Sequence, residues 1–429
     1  MTLEIDSIKW SLDFLDSHSD GDLFPKIIEL RSIIEDVDTF ANELSQKSLS
    51  DLQPGSCRRF IVPKDELSFR QATQLDPQDN IILSAIIYQF GSGIEERRKN
   101  EDIVFSYRFS PSTERGLYNT RATWNKFWLK CNEESKKFDT IVCCDIADFY
   151  NQIYHHTVEN QLAESSFPNP AIKWIIKLLK STTAGVSRGV PIGPHGIHLI
   201  AESTLIPIDN SLAAKGIKFF RFVDDIVIFC DSRSDARRAL FTLSTTLDTQ
   251  QRLTLQRHKT RLYNKETFAK LCKQMLEDRP INSEEEEILK IVKKYSSGNP
   301  YETILHNNIS KEDWSKINQD IIEKVINEYL RHEDIDYIRL RWFYRRLTQL
   351  GHPGAIDISL NNLSVLGPCL ANICSYIASV QTFEEGHWKE IGKRLLVLLD
   401  NPEISENEYF RLSILSLFTK NVYINSVSQ

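Results

Sequence analysis

Between Lys218 and Cys230 two apolar runs, Lys218-Phe219-Phe220-Arg221-Phe222 and Ile226-Val227-Ile228-Phe229-Cys230, meet at Val223-Asp224-Asp225. β-Branched and aromatic residues suit a pleated, half-buried surface, so the runs read as two strands of a hairpin with Asp224 and Asp225 at its tip. Adjacent carboxylates repel, and ionising both costs free energy unless a cation lies between them. A divalent metal supplies such a cation. The plainer alternative is a turn that is merely acidic, because Asp favours turns through its own side chain.

A second segment narrows the choice. Thr140-Ile141-Val142-Cys143-Cys144-Asp145-Ile146-Ala147-Asp148-Phe149-Tyr150 is an apolar strand that ends in an aspartate and runs on into polar and aromatic chain. If that strand lies beside the hairpin, Asp145 joins Asp224 and Asp225 around two Mg²⁺ ions about 3.5–4 Å apart, the arrangement that stabilises attacking and leaving oxygens in phosphoryl transfer. Strand first and hairpin about eighty residues later is a more specific pattern than either part. Between them, Ser187-Arg188-Gly189-Val190-Pro191-Ile192-Gly193-Pro194-His195 forms a loop rich in glycine and proline that leads into a helix and lets a nucleotide or template approach the backbone closely. His195 and His198, one helical turn apart, read either as metal ligands or as polar residues at the helix start.

At 429 residues the chain exceeds one ordinary core, so two or more structural units are expected. Residues 1–55 show helical apolar spacing before the Pro54-Gly55 break and form an N-terminal helical segment. Residues 56–275 form the middle unit, and within it the alternating strands and helices of residues 139–268 carry all the recognisable chemistry. Residues 276–429 are helical almost throughout, which suggests either an α-repeat of the HEAT kind or an irregular helical domain. The hydrophobic and charged fractions, 41% and 26%, are those of ordinary globular proteins, and no run of about eighteen apolar residues could cross a bilayer. The start Met1-Thr2-Leu3-Glu4 lacks a secretory pattern, so a cytoplasmic location is expected. Eight cysteines without a CxxC pair suggest reduced core residues, with Cys143 and Cys144 facing opposite ways. The net charge of −7 argues against a uniformly basic surface, and −6 of it falls in residues 276–429. Any phosphate contact therefore comes from local clusters in the first two thirds.

The three segments resemble motifs A, B and C of reverse transcriptases, in order and separation, with Phe222-Val223-Asp224-Asp225 at the aromatic-x-Asp-Asp box. Leu253-Thr254-Leu255-Gln256-Arg257-His258-Lys259-Thr260 resembles motif D, and Ile61-Val62-Pro63-Lys64 with Arg70 resembles the basic fingers, so the likeness spans about residues 56–270. The Arg-Gly-Val-Pro-Ile-Gly-Pro-His form of motif B, with a helical C-terminal region, is most similar to the abortive-infection (Abi) and related defence-associated bacterial enzymes.

The resemblance implies an α+β fold, right-hand-like polymerase fingers and palm followed by an all-α C-terminal domain. It implies that Asp145, Asp224 and Asp225 bind two Mg²⁺, with Mn²⁺ as a substitute, and that the Ile146 carbonyl adds a ligand. Tyr150 falls at the steric gate that favours dNTPs over NTPs, although a packed aromatic is the simpler reading. Lys64 and Arg70 would grip the triphosphate, Pro191 and Gly193 would border the nucleotide, and Lys259 would act near the leaving pyrophosphate. Ile192 departs from retroviral enzymes, which carry a polar residue there. The implied partners are dNTPs, a DNA product, an RNA template or none, and further copies of the chain; some relatives prime on a protein hydroxyl. Two other functions compete: an RNA polymerase sharing the palm carboxylates, and a catalytically idle scaffold that binds a phage or host protein. In the helical region, Arg339, Arg341, Arg345 and Arg346 are expected to pair with acids such as Glu333, Asp334 and Asp336 or with another subunit.

Overall fold

The computed structural model describes residues 1–18, 23–24, 27–119, 123–276, 279–296, 304–380, 384–421 and 424. Eight strands occur among them: β1 Arg58–Pro63, β2 Phe69–Gln74, β3 Phe109–Ser112, β4 Gly116–Tyr118, β5 Thr140–Asp145, β6 Lys218–Phe222, β7 Asp225–Cys230 and β8 Arg261–Tyr263. The chain divides into two units, one of residues 1–59 and 72–277, the other of residues 60–71 and 278–429. Among the described residues no helix is long and apolar enough to cross a membrane.

The first unit is built on a four-stranded antiparallel sheet in the order β6-β7-β5-β8. Side chains alternate across it with the period of two that a strand imposes. Val142, Cys144, Phe219, Ile226 and Ile228 enter the main core, whereas Ile141, Phe220, Val227 and Phe229 enter a second cluster with Phe105, Phe127, Trp128 and Phe268. Cys143 packs against that second cluster and Cys144 lies in the first, so the two cysteines do face opposite ways. All eight cysteines are unpaired thiols. Helix Pro77–Arg97, capped by Asp76 and started by Pro77, and helix His195–Ala214 are buried along most of their length in the main core. Helix Ile5–His18 joins the same core through Ile8, Leu12 and Leu15, and Trp10 stacks on Tyr88 at 4.4 Å. Burying each such side chain contributes roughly 1.5–3 kcal/mol before chain entropy is set against it.

In the second unit the turn of the β1–β2 hairpin is grouped with the C-terminal helices. Helix Tyr337–Leu350 is central to it. Asp336 caps its N-terminus, Gly351 ends it at φ 63°, and Leu340, Phe343, Tyr344 and Leu347 bury its inner face. Among the described residues its arginines meet carbonyl oxygens, a side-chain amide and aromatic rings, with no ion pair to Glu333, Asp334 or Asp336, the acids expected from sequence. Arg341 donates to the carbonyls of Pro368 (3.1 Å), Pro63 (3.3 Å) and Lys64. Arg339 lies over the Tyr329 ring, Arg345 over the Trp342 ring, and Arg346 bonds Gln349. Carbonyls and aromatic faces serve because the helix is wedged among apolar neighbours, while Glu333 and Asp334 stay exposed.

Candidate active site

Strand register sets the site. Asp145, last residue of β5, lies directly opposite Asp225, first residue of β7, and Phe222 pairs with Asp225 so that Val223 and Asp224 form the turn. The amide of Ile146 donates to the Asp224 carbonyl at 3.0 Å, which locks the turn against the strand end. On the other side, Gln256 donates to the Asp145 carbonyl at 2.7 Å and Ala147 to that of Thr254 at 2.9 Å, tying in the segment that carries Lys259. Lys259 Nζ bonds Asp145 Oδ2 at 2.6 Å. Three carboxylates and one ammonium thus share a strand end.

The charge there is undercompensated. Burial, and then the charge of Asp145, push the Asp224 carboxyl up to about 6. Burial, Asp224 and Asp145 push Asp225 up to about 7. Burial works to lower the Lys259 ammonium, but its hydrogen bond to Asp145 and the surrounding acids leave it raised. Carboxylates pushed up by one another's charge are relieved by a cation. Among the described residues no group of three or more His, Cys, Asp or Glu side chains forms a ready metal cage. Mg²⁺ does not need one, because it binds through one or two carboxylates and completes its shell with water and phosphate. The donor set, hard oxygens at a partly open strand end, fits that ion. His195 and His198 are not part of such a set: His195 lies edge-on to Phe14, and His198 stacks on Tyr107 at 4.2 Å.

Tyr150 lies beside that stack. Its hydroxyl is 2.7 Å from His198 Nδ1, its ring stands at 87° to the imidazole, and burial raises its pKa well above the phenolic value. Its carbonyl accepts from Val190 at 2.9 Å, which fixes the start of the glycine-proline loop. Gly189 donates to the Ile153 carbonyl, and the Ile192 carbonyl accepts from Thr73 at 2.8 Å. Gly193 has φ 138°, and a Cβ there would stand 2.7 Å from the Thr73 carbonyl oxygen, so only glycine fits without a shift. Pro191 and Gly193 are buried in this pinned loop. Lys64 and Arg70 belong to the second unit, Lys64 at the exposed turn of the β1–β2 hairpin.

Behind the turn runs a buried polar network that the sequence reading missed. Arg221 of β6 makes two bonds to Asp209, 2.8 and 2.6 Å, and reaches Glu202 at 3.0 Å. Arg98 reaches the same Glu202 oxygen, Oε2, at 2.8 Å. Burial pushes the Glu202 carboxyl up, but Arg221 and Arg98 outweigh it and leave Glu202 lowered, hence ionised. Ser106 donates to Glu202 at 2.6 Å and accepts from the Val223 amide at 2.9 Å, while Arg221 donates to the Val223 carbonyl at 2.9 Å. Val223 needs such support. It sits at φ 54°, and a left-handed β-branched residue costs roughly 1–3 kcal/mol. A sequence signal existed: Arg221 is a lone charge at an inward position of an apolar strand, and Glu202 and Asp209 are seven apart on one face of a largely apolar helix.

A search of curated proteins returned no match. Residues 63–287, slightly more than half of the chain and including all three carboxylates, match the family described as reverse transcriptase (RNA-dependent DNA polymerase). A sheet with an acidic hairpin turn against a strand-end aspartate and a family match over that sheet lead to one conclusion: the chain belongs to the reverse transcriptase family, RNA-directed DNA polymerases that act as nucleotidyltransferases.

Proposed function

We propose that this reverse transcriptase extends a DNA strand with dNTPs by two-metal nucleotidyl transfer at Asp145, Asp224 and Asp225. The observation that carries the proposal is the register pairing of Asp145 with Asp225, with Asp224 next in the turn. Two Mg²⁺ ions, or Mn²⁺, would supply activation of the attacking hydroxyl and stabilisation of charge on the leaving oxygen. The three carboxylates bind them, with the Ile146 carbonyl as a further oxygen donor. Lys259, already charged and beside Asp145, is placed to neutralise the departing pyrophosphate. Tyr150, held by His198, limits space beside the ribose 2′ carbon, and the pinned Pro191–Gly193 loop borders the nucleotide.

The finer assignment is to the abortive-infection, defence-associated group in the cytoplasm, with residues 56–275 as fingers and palm and 276–429 as a HEAT-like helical domain. The glycine-proline loop sequence and the succession of helices from Ser283 to Lys420 support it. Priming on a protein hydroxyl without a template belongs to the same reading. Self-association is supported by Ile338 and Trp342, one helical turn apart and 69% and 45% exposed on a helix otherwise well packed.

Incubating the protein with Mg²⁺ and labelled dNTPs, with and without template, and then digesting the product with protease or nuclease tests these points together. Label that is protease-sensitive and template-independent supports protein priming. Incorporation that the Asp224→Asn/Asp225→Asn variant retains would remove the palm assignment.

A further inference from the structure

The turn that presents Asp224 and Asp225 is held in a conformation its own sequence disfavours, since Val223 is β-branched and left-handed at φ 54°. Its two backbone polar groups are both bound by side chains: the amide by Ser106 Oγ at 2.9 Å, the carbonyl by Arg221 at 2.9 Å. Ser106 is fully buried and is itself over-determined. Its hydroxyl donates to the fully buried Glu202 at 2.6 Å, its carbonyl accepts from Arg98 at 2.7 Å, and its neighbours Val104 and Phe105 run against Arg221, with the Phe105 amide on the Arg221 carbonyl at 3.0 Å. A strained residue persists where the surroundings fix it, and such fixing concentrates at functional sites. Among the described residues, the hydroxyl of Ser106 is the side-chain group that links the Val223 amide to the Glu202–Arg98 pair.

We propose that Ser106, oriented by Glu202 and Arg98, is a positioning residue that fixes the Val223 turn and thereby aims the Asp224 and Asp225 carboxylates for divalent-cation binding. It touches neither nucleotide nor metal. Without its hydroxyl, Val223 loses the bond that holds its amide inward, the turn relaxes, and the carboxylates lose alignment while the surrounding apolar core stays packed. Groups that orient metal ligands from behind change metal affinity or activity by about 10- to 100-fold when removed. The inference rests on the metal-binding reading of the two aspartates.

The test is Ser106→Ala in the full chain, with Ser106→Cys as a conservative partner should alanine leave a chain that does not fold. Ser11→Ala is the control: Ser11 is equally buried and donates to the Ile81 carbonyl at 2.8 Å, away from the turn. The readouts are the rise in melting temperature on adding Mg²⁺ or Mn²⁺ and the metal concentration for half-maximal incorporation. Expected for Ser106→Ala is a requirement for about tenfold more Mg²⁺, a smaller metal-induced rise and a dNTP KM within about twofold of wild type, with Cys intermediate and Ser11→Ala unchanged in metal response. A Ser106→Ala protein that loses melting temperature but keeps the wild-type metal midpoint would overturn the positioning role while leaving the metal site intact. A wild-type metal-induced rise that survives in Asp224→Asn/Asp225→Asn would instead overturn the metal reading on which it rests.

Discussion

Two charge clusters lie back to back in the first unit and are built on opposite principles. At the strand end, three carboxylates share one ammonium, and Asp224 and Asp225 are pushed up to about 6 and about 7. Behind the turn, Glu202 and Asp209 face Arg221 and Arg98 at 2.6–3.0 Å with almost no exposure. In the buried cluster each carboxylate meets at least one guanidinium, and its use is to hold shape. The strand-end cluster is left short of positive charge, and that shortfall is what a cation and a polyphosphate can fill.

Breaking the strand-end cluster gives the largest effect on function. In Asp224→Asn/Asp225→Asn, shape is kept and charge is lost, so incorporation of labelled dNTPs should fall by roughly a thousandfold or more with the fold retained by circular dichroism. Breaking the buried cluster should act first on stability, and on function only through the turn it holds. Arg221→Met leaves Glu202 and Asp209 buried with one partner fewer, a loss of about 3–5 kcal/mol that denaturant unfolding would register. If Arg221→Met unfolds no more readily than wild type, the contrast between the clusters fails.

Two smaller effects sharpen it. Tyr150→Val should open room at the sugar and raise NTP use relative to dNTP, measured in direct competition, and His198→Ala should do so more weakly because it frees the Tyr150 ring rather than removing it. A wild-type enzyme that already accepts both sugars equally would reduce Tyr150 to a packing residue. In metal-free buffer, Asp224 and Asp225 have folded pKa values above the ordinary carboxylate value. Their share of stability is therefore full below about pH 4 and is lost as pH rises through 6 to 7. Subtracting the melting curve of the double Asn variant from that of wild type across pH 5–8 should isolate this slope, and Mg²⁺ should abolish it.

The strand-end cluster was legible in the sequence because its parts are local. Asp224 and Asp225 are adjacent, Asp145 ends an apolar run, and β-branched and aromatic runs announce the strands, down to the opposed faces of Cys143 and Cys144. The buried cluster was less so: Arg221 on an apolar strand and Glu202 and Asp209 on an apolar helix each mark a buried charge, but their pairing, with Arg98 more than a hundred residues from Glu202, appears only in the fold. The Val223 strain was invisible for a related reason: nothing in Phe-Val-Asp-Asp requires a positive φ. The arginines of helix Tyr337–Leu350 were matched to nearby acids by charge alone, whereas carbonyls of Pro63, Lys64 and Pro368 receive Arg341. Charge counting along a sequence does not see carbonyl acceptors.

Mn²⁺ titration, followed by the paramagnetic resonance signal of the free ion, measures the shortfall of positive charge at the strand end. The expected result is that wild-type protein withdraws Mn²⁺ from solution, more weakly as pH falls through about 7 to 6 and protons compete for Asp225 and Asp224, while Asp224→Asn/Asp225→Asn leaves the ion free. Equal Mn²⁺ uptake by both proteins, with no dependence on pH in that range, would contradict it.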